Sequence, residues 1–236
     1  MTRSFAARIL VGQSEAHLCS PDDGRRLGAR LHRDAVGPFL RLQSAARAAG
    51  FDLTVLSGFR GFERQLSIWN RKAAGELVVL DSGGRPLDRA TLREEDLVFA
   101  ILRWSALPGG SRHHWGTDLD VYDAAAKPAG HEVELVPSEV DAGGMFAPLH
   151  EWLDERIRAG QAYGFFRPYD ADRGGVAPER WHLSYAPAAS TYARLLTVER
   201  LRETLAGADL RLKDAVLARL PIIFERFVRN TNPAFA

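Results

Sequence analysis

The stretch SRHHWGTDLDVYD, residues 111–123, constrains the chain more than any other. Its second half alternates, with Leu119 and Val121 on one face of an extended strand and Asp118, Asp120 and Tyr122 on the other. A plain core strand would not tolerate two acids side by side on one face. Two adjacent histidines, His113 and His114, lead into the strand through Gly116, which suits a tight backbone turn. Charge balance does not call for this grouping, since 31 basic and 30 acidic residues already leave a formal net charge of +1.

The segments around it alternate between helical and extended patterns. Residues 34–49 carry apolar positions at helical spacing and stop at Gly50, and FDLTVLSG then reads as a short strand. GFERQLSIWNRKAA predicts a helix ended by Gly75, and DSGGRPLD, 81–88, a turn-rich loop. TLREEDLVFAILRWSA predicts a helix with Thr91 as N-cap and acids in its first turn. FAPLHEWLDERIRAG reads as an amphipathic helix, YGFFRPY as a strand or turn, and RWHLSY as a last strand. Residues 188–230 are helical, with Pro221 kinking the segment or starting a new one. The fold class expected is α+β, a small, largely antiparallel sheet carrying the site and flanked by helices. A single domain is expected over 1–236, with a main core at about 34–187 and a helical segment at about 188–230.

Several function classes drop out early. A chain of 236 residues, 46% hydrophobic and 26% charged, suits one sizeable soluble core. Its near-neutral charge gives no field for nucleic acid or anionic lipid, and the arginine-rich stretches alternate with acids and apolar residues as solvated helix faces do. Cys19 is the only cysteine, so intrachain disulfides and cysteine-ligated zinc are excluded. Any metal must be held by His, Asp or Glu. The N-terminus lacks an apolar run of signal-peptide length, and the longest uncharged apolar run, LPIIF at 220–224, is too short to span a bilayer. A cytoplasmic monomer is expected, with periplasmic or wall-associated action if the start lies elsewhere or export takes another route.

Three clusters hold the candidate chemistry: SGFRGFERQ (57–65), SRHHWGTDLD (111–120) and PERWH (178–182). Zinc without cysteine takes about four ligands from imidazole, carboxylate and water. His113 or His114, with Asp118 or Asp120, supplies two; His182 adds an imidazole, and Glu179 a carboxylate suited to act as a base. HExxH is absent, so a helix-borne zincin site is not expected. Spacing alone leaves open which histidine and which aspartate turn toward a metal.

SRHHWGTDLD resembles the S-x-H-x-x-G-x-x-x-D signature of the VanY/VanX-type zinc D-alanyl-D-alanine peptidases, and ERWH resembles their E-x-W-H signature. SGFRGFERQ is similar to the segment that precedes those motifs in the VanY-like branch. The resemblance implies a hedgehog/D-Ala-D-Ala peptidase-like fold and one zinc ion held by His113, Asp120 and His182. It makes Glu179 the general base for the attacking water and places His114 on the cleft wall. Asp118 departs from the small residue common in the family and is read as an acid orienting a ligand.

The activity implied is hydrolysis of a peptide bond next to D-alanine in peptidoglycan stem peptides or muropeptides. Alternatives in the same class are an L,D-carboxypeptidase, a cell-wall endopeptidase or endolysin, and a D-Ala-D-Ala dipeptidase. A non-catalytic wall-peptide binding module is the alternative from another class. Arg60 is expected either to hold a substrate carboxylate or to face the developing oxyanion, against a plain surface ion pair with Glu63. Gln65 and Ser111 are expected to touch the substrate backbone, and Trp181 to pack the loop.

Overall fold

The computed structural model describes residues 3–235. In chain order the elements are α1 (Arg3–Leu10), α2 (Pro21–Leu27), α3 (Arg33–Ala48), β1 (Leu53–Ser57), α4 (Phe62–Ala74), α5 (Glu94–Trp104) and β2 (Asp118–Asp123). They continue with α6 (Pro137–Val140), α7 (Ala147–Arg158), β3 (Phe165–Phe166), β4 (His182–Tyr185), α8 (Ala186–Leu195), α9 (Val198–Ala206) and α10 (Lys213–Ile223). The four strands form one sheet in the order β1-β2-β4-β3, and every neighbouring pair is antiparallel. This is the α+β architecture expected from the alternating segments.

The register explains why the polar residues of β2 and β4 meet. Leu119 stands opposite Leu183, while Asp118 pairs with Ser184 and Asp120 with His182. Because successive side chains point to opposite faces, one face collects leucines and valines and the other collects the acids and the histidine. The apolar face, with Leu53, Val55, Leu119, Val121 and Leu183, packs on Phe39 and Leu42 of α3 and on Leu149 and Leu153 of α7. Burying each such side chain contributes roughly 1.5–3 kcal/mol, so the sheet is anchored from its back and leaves its front for chemistry.

A second apolar cluster is built mainly from helices. Leu66 and Trp69 of α4, Ile101 of α5, Leu201 and Leu205 of α9, and Leu220 and Ile223 of α10 belong to it. The stretch 188–230 therefore folds as separate helices rather than one. Pro221 lies inside α10 without ending it. A proline cannot bond the carbonyl four residues before it; that carbonyl, on Leu217, instead accepts from Arg202 Nη1 at 3.2 Å.

Two details depart from the sequence expectation. The helix α5 starts at Glu94 with Arg93 as N-cap, whereas Thr91 closes a short 3-10 turn and donates its hydroxyl to the Asp88 carbonyl. Glu94, Glu95 and Asp96 still occupy the first turn, where they suit the positive end of the helix dipole. Residues 3–32, in which no motif was apparent, brace the site from behind. Trp115 Nε1 donates to the Leu10 carbonyl at 3.1 Å, and His32 N donates to the Gly116 carbonyl at 2.7 Å. Among the described residues no helix is long and apolar enough to cross a membrane.

Candidate metal centre

The pairing of Asp120 with His182 places two of the three candidate ligands side by side across the sheet. The third arrives on the short 3-10 turn Arg112–Trp115, which Gly116 ends with a φ of 64°. A Cβ at Gly116 would lie 2.6 Å from Leu18 Cδ2 and 2.8 Å from His32 N, so backbone angle and space both demand glycine there. This turn aims His113 inward over the polar face of β2.

The tautomers follow from the partners. His113 Nδ1 lies 2.9 Å from the Gly58 carbonyl, which can only accept; Nδ1 therefore carries the proton and Nε2 keeps its lone pair. That Nε2 faces Asp120 Oδ2 at 3.4 Å. His182 Nε2 lies 3.0 Å from Asp118 Oδ1, while its Nδ1 sits 3.4 Å from Asp120 Oδ1 and 3.1 Å from Glu179 Oε2. One ligand atom each from His113, Asp120 and His182 lies within 4.8 Å of the others, and all three residues are buried. Tetrahedral zinc with bonds near 2.1 Å sets its ligand atoms about 3.4 Å apart. Each imidazole thus stands at that spacing from one of the two Asp120 oxygens, and the set of two imidazoles and one carboxylate fits zinc chemistry.

The protein's own field is strongly uneven here. Burial pushes the His113 pKa well below its usual value, and Arg60 adds to this. Burial raises Asp120 to about 6, with the neighbouring Glu179 working in the same direction. At His182 burial opposes protonation, but hydrogen bonds with Asp118 and Glu179 outweigh it and lift the pKa to about 10. A cluster of buried carboxylates around imidazole is thus organised to attract a cation.

Asp118 is fully buried and fully used. One oxygen accepts from Arg112 Nε at 2.8 Å and faces His182; the other accepts from the Thr117 hydroxyl at 2.6 Å and the Ser184 hydroxyl at 3.0 Å. Burial alone would raise its pKa, but Arg112 and the hydrogen bonds from His182 and Thr117 hold it well below the usual carboxylate range. Arg112 is itself buried, completing its contacts on the Ser184 hydroxyl at 2.7 Å. Removing one member of such a pair leaves a buried charge without compensation. Asp118→Ala is expected to lower unfolding stability by about 3–5 kcal/mol, measured by urea denaturation, and Asp118→Ala with Arg112→Met to recover most of that loss.

The other expected site residues are divided. Arg60 points into the cleft, donating from Nη1 to Gln65 Oε1 at 2.9 Å and from Nη2 to the Ser57 hydroxyl at 3.2 Å. No ion pair ties it to Glu63. Burial lowers its pKa, and Asp120 and Glu179 partly offset this, so the guanidinium stands in the field of the acidic cluster. Gln65 is wholly buried, and its Nε2 donates to the Ala106 carbonyl at 2.7 Å, so both its polar ends are occupied. Ser111 lines the cleft with a buried hydroxyl that has no protein partner. Trp181 packs with Val140 and Phe146 while one side faces the cleft.

His114 corrects the sequence reading. It does not line the cleft; it is completely buried behind it, with Nδ1 2.6 Å from the Arg60 carbonyl and Nε2 accepting from Gly109 N at 3.0 Å. The two histidines follow one another on a tight turn, so their rings diverge, one toward the acids and one into the core. Tyr169 is a site residue that sequence reasoning missed. Its carbonyl accepts from Glu179 N at 2.9 Å, and its ring stands edge-on to His182 with centroids 5.1 Å apart. No pattern in the sequence marks it.

The three candidate ligands border a cleft of about 690 Å³, with Arg60, Ser111 and Glu179 beside them. The VanY family, D-alanyl-D-alanine carboxypeptidase, matches residues 28–188 of the chain. A D-alanyl-D-alanine carboxypeptidase of Enterococcus faecalis is 28% identical over 202 residues, covering 83% of this chain and 62% of that protein. An uncharacterized protein of Haemophilus influenzae is 31% identical over 124 residues, 52% of this chain and 92% of the relative. Among solved structures, VanYB in complex with D-alanine-D-alanine aligns with TM-score 0.51 at 24% identity, covering 81% of this chain and 91% of that one. A mutant of the vancomycin resistance D,D-pentapeptidase VanY in complex with Zn(II) aligns with TM-score 0.50 at 25% identity, covering 80% and 91%. With the whole four-stranded sheet, all three motif clusters and both flanking helices inside the matched span, the chain belongs to the VanY family of D-alanyl-D-alanine carboxypeptidases.

Proposed function

We propose that the protein is a zinc-dependent carboxypeptidase that removes a terminal D-alanine from peptidoglycan stem peptides, with His113, Asp120 and His182 as the metal ligands. The observation that carries this reading is the convergence of those three side chains, with the Glu179 carboxylate beside them, at the mouth of one cleft. The Zn(II) in the related VanY structure supports the choice of metal. When bound, zinc supplies a Lewis acid that polarises a carbonyl and makes water a stronger acid.

The remaining roles belong to the chain. Asp118 accepts from His182 Nε2, so once a metal displaces the Nδ1 proton that Glu179 and Asp120 favour, the Nδ1 lone pair is directed at the site; the Gly58 carbonyl orients His113 in the same way through Nδ1. Glu179, 3.1 Å from His182 Nδ1, takes a proton from the water that attacks the carbonyl carbon. It returns that proton to the nitrogen of the departing D-alanine as the C–N bond breaks. Arg60 has N–H groups beyond the two already bonded and donates to the carbonyl oxygen as negative charge builds on it; one preorganised donor of this kind is worth about 3 kcal/mol. Gln65 acts through Arg60 by fixing the guanidinium, and the free hydroxyl of Ser111 takes a polar group of the peptide.

Incubating the zinc-loaded protein with a peptide ending in Lys-D-Ala-D-Ala, followed by mass spectrometry, is expected to show one D-alanine released per peptide. An intact peptide after prolonged incubation would overturn the reading. Release from a tetrapeptide with a single terminal D-alanine, with none from the pentapeptide, would reassign the enzyme as an L,D-carboxypeptidase.

A further inference from the structure

The cleft extends past the reacting centre, and its lining includes a cation that the chemistry above does not use. Lys72 lines the same cavity as Arg60 and Glu179. It is half-buried on α4, and among the described residues no carboxylate lies within ion-pairing distance of it. Burial pushes the pKa of its ammonium below the usual lysine value, with no acidic neighbour acting against that. Lysines of this exposure ordinarily reach water or pair with an acid. The other charged groups on the cleft are accounted for. Arg112 is paired with Asp118, Asp120 and Glu179 belong to the metal centre, and Glu134 is exposed to solvent.

Its place on the helix fixes its distance from the reaction. Lys72 follows Gln65 by seven residues, two helical turns, so both side chains leave α4 along nearly the same stripe. At 1.5 Å per residue their Cα atoms are about 10 Å apart. Gln65 holds Arg60 directly, so along α4 the position that fixes Arg60 and the position that bears Lys72 are separated by this backbone interval. An extended peptide advances about 3.3–3.6 Å per residue, so the interval corresponds to two or three residues of substrate. A carboxypeptidase has almost no substrate on the carboxyl side of the cleaved bond, so those residues lie on the amino side.

We propose that Lys72 forms a carboxylate subsite, selecting wall peptides that carry a free acid two or three residues before the cleaved bond. The assignment rests on the carboxypeptidase reading given above. Two acids of a stem peptide could fill it: the free α-carboxylate of a γ-linked D-glutamate, or the side-chain carboxylate of a diamino acid. Both present the same anion to the ammonium, and amidation of either removes its charge.

The test uses four pentapeptides ending in D-Ala-D-Ala, with each of these carboxylates in turn free or amidated, and compares kcat/KM on the zinc-loaded wild type and Lys72→Gln. The wild type is expected to prefer the free acid at one of the two positions by about tenfold, the size of a single charge-assisted hydrogen bond. The preference should appear in KM rather than kcat. Lys72→Gln should reduce the ratio to near one, and Lys72→Glu should invert it. Equal kcat/KM for acid and amide at both positions in the wild type, or a ratio that persists in Lys72→Gln, would overturn the subsite while leaving the carboxypeptidase assignment intact. Failure to cleave any of the four would overturn both.

Discussion

Glu179→Gln is expected to retain its zinc and lose activity by roughly a hundred- to ten-thousand-fold, the usual contribution of a positioned general base. The substitution keeps size and hydrogen-bonding reach but removes the basic oxygen. Glu179 is not among the three residues whose ligand atoms converge, so metal content should be close to wild type. D-alanine release and metal analysis on the same preparation check both halves of the expectation. A variant that holds zinc and cleaves at the wild-type rate would remove Glu179 from the reaction. Its backbone is held from both sides, by the Tyr169 carbonyl and by the His182 amide, so a loss of activity would not reflect a loosened loop.

His113→Ala and His182→Ala are each expected to leave little zinc after dialysis, because each removes one of the three proposed protein ligands. His114→Ala should behave in the opposite way, keeping the metal while losing stability. Its ring bonds the Arg60 carbonyl and the Gly109 amide inside the core, and each buried group left without a partner costs about 1–3 kcal/mol. Elemental analysis and urea denaturation of the three variants separate the roles. Equal zinc loss in all three would mean that the assignment between the neighbouring histidines is wrong.

Much of this site could be read from the sequence because its central part rests on period-two alternation. In Asp118–Asp123 that alternation separates the leucine and valine from the acids, and the same rule in His182–Tyr185 puts His182 and Ser184 on the matching face. What remained hidden depends on long-range packing. The direction of His114 is decided by Gly109 and by residues fifty positions earlier, with Gly12 leaving room for the ring: a Cβ on that glycine would come within 2.3 Å of it. Thr91 has the composition of an N-cap, but the chain forms a 3-10 turn there and the helix begins three residues later. Gln65 and Lys72 sit in one helix with nothing in their spacing to show that one locks Arg60 and the other borders an open cavity.

The pairing of β2 with β4 has a consequence for how such a chain can change. Inserting or deleting one residue within either strand would exchange inward and outward side chains beyond that point, sending Asp120 or His182 toward the leucines. Loops joining the strands carry no such parity and can lengthen freely. Variation among descendants of this sequence should therefore accumulate in the connections, while the count of residues within these two short strands stays fixed or shifts only in twos.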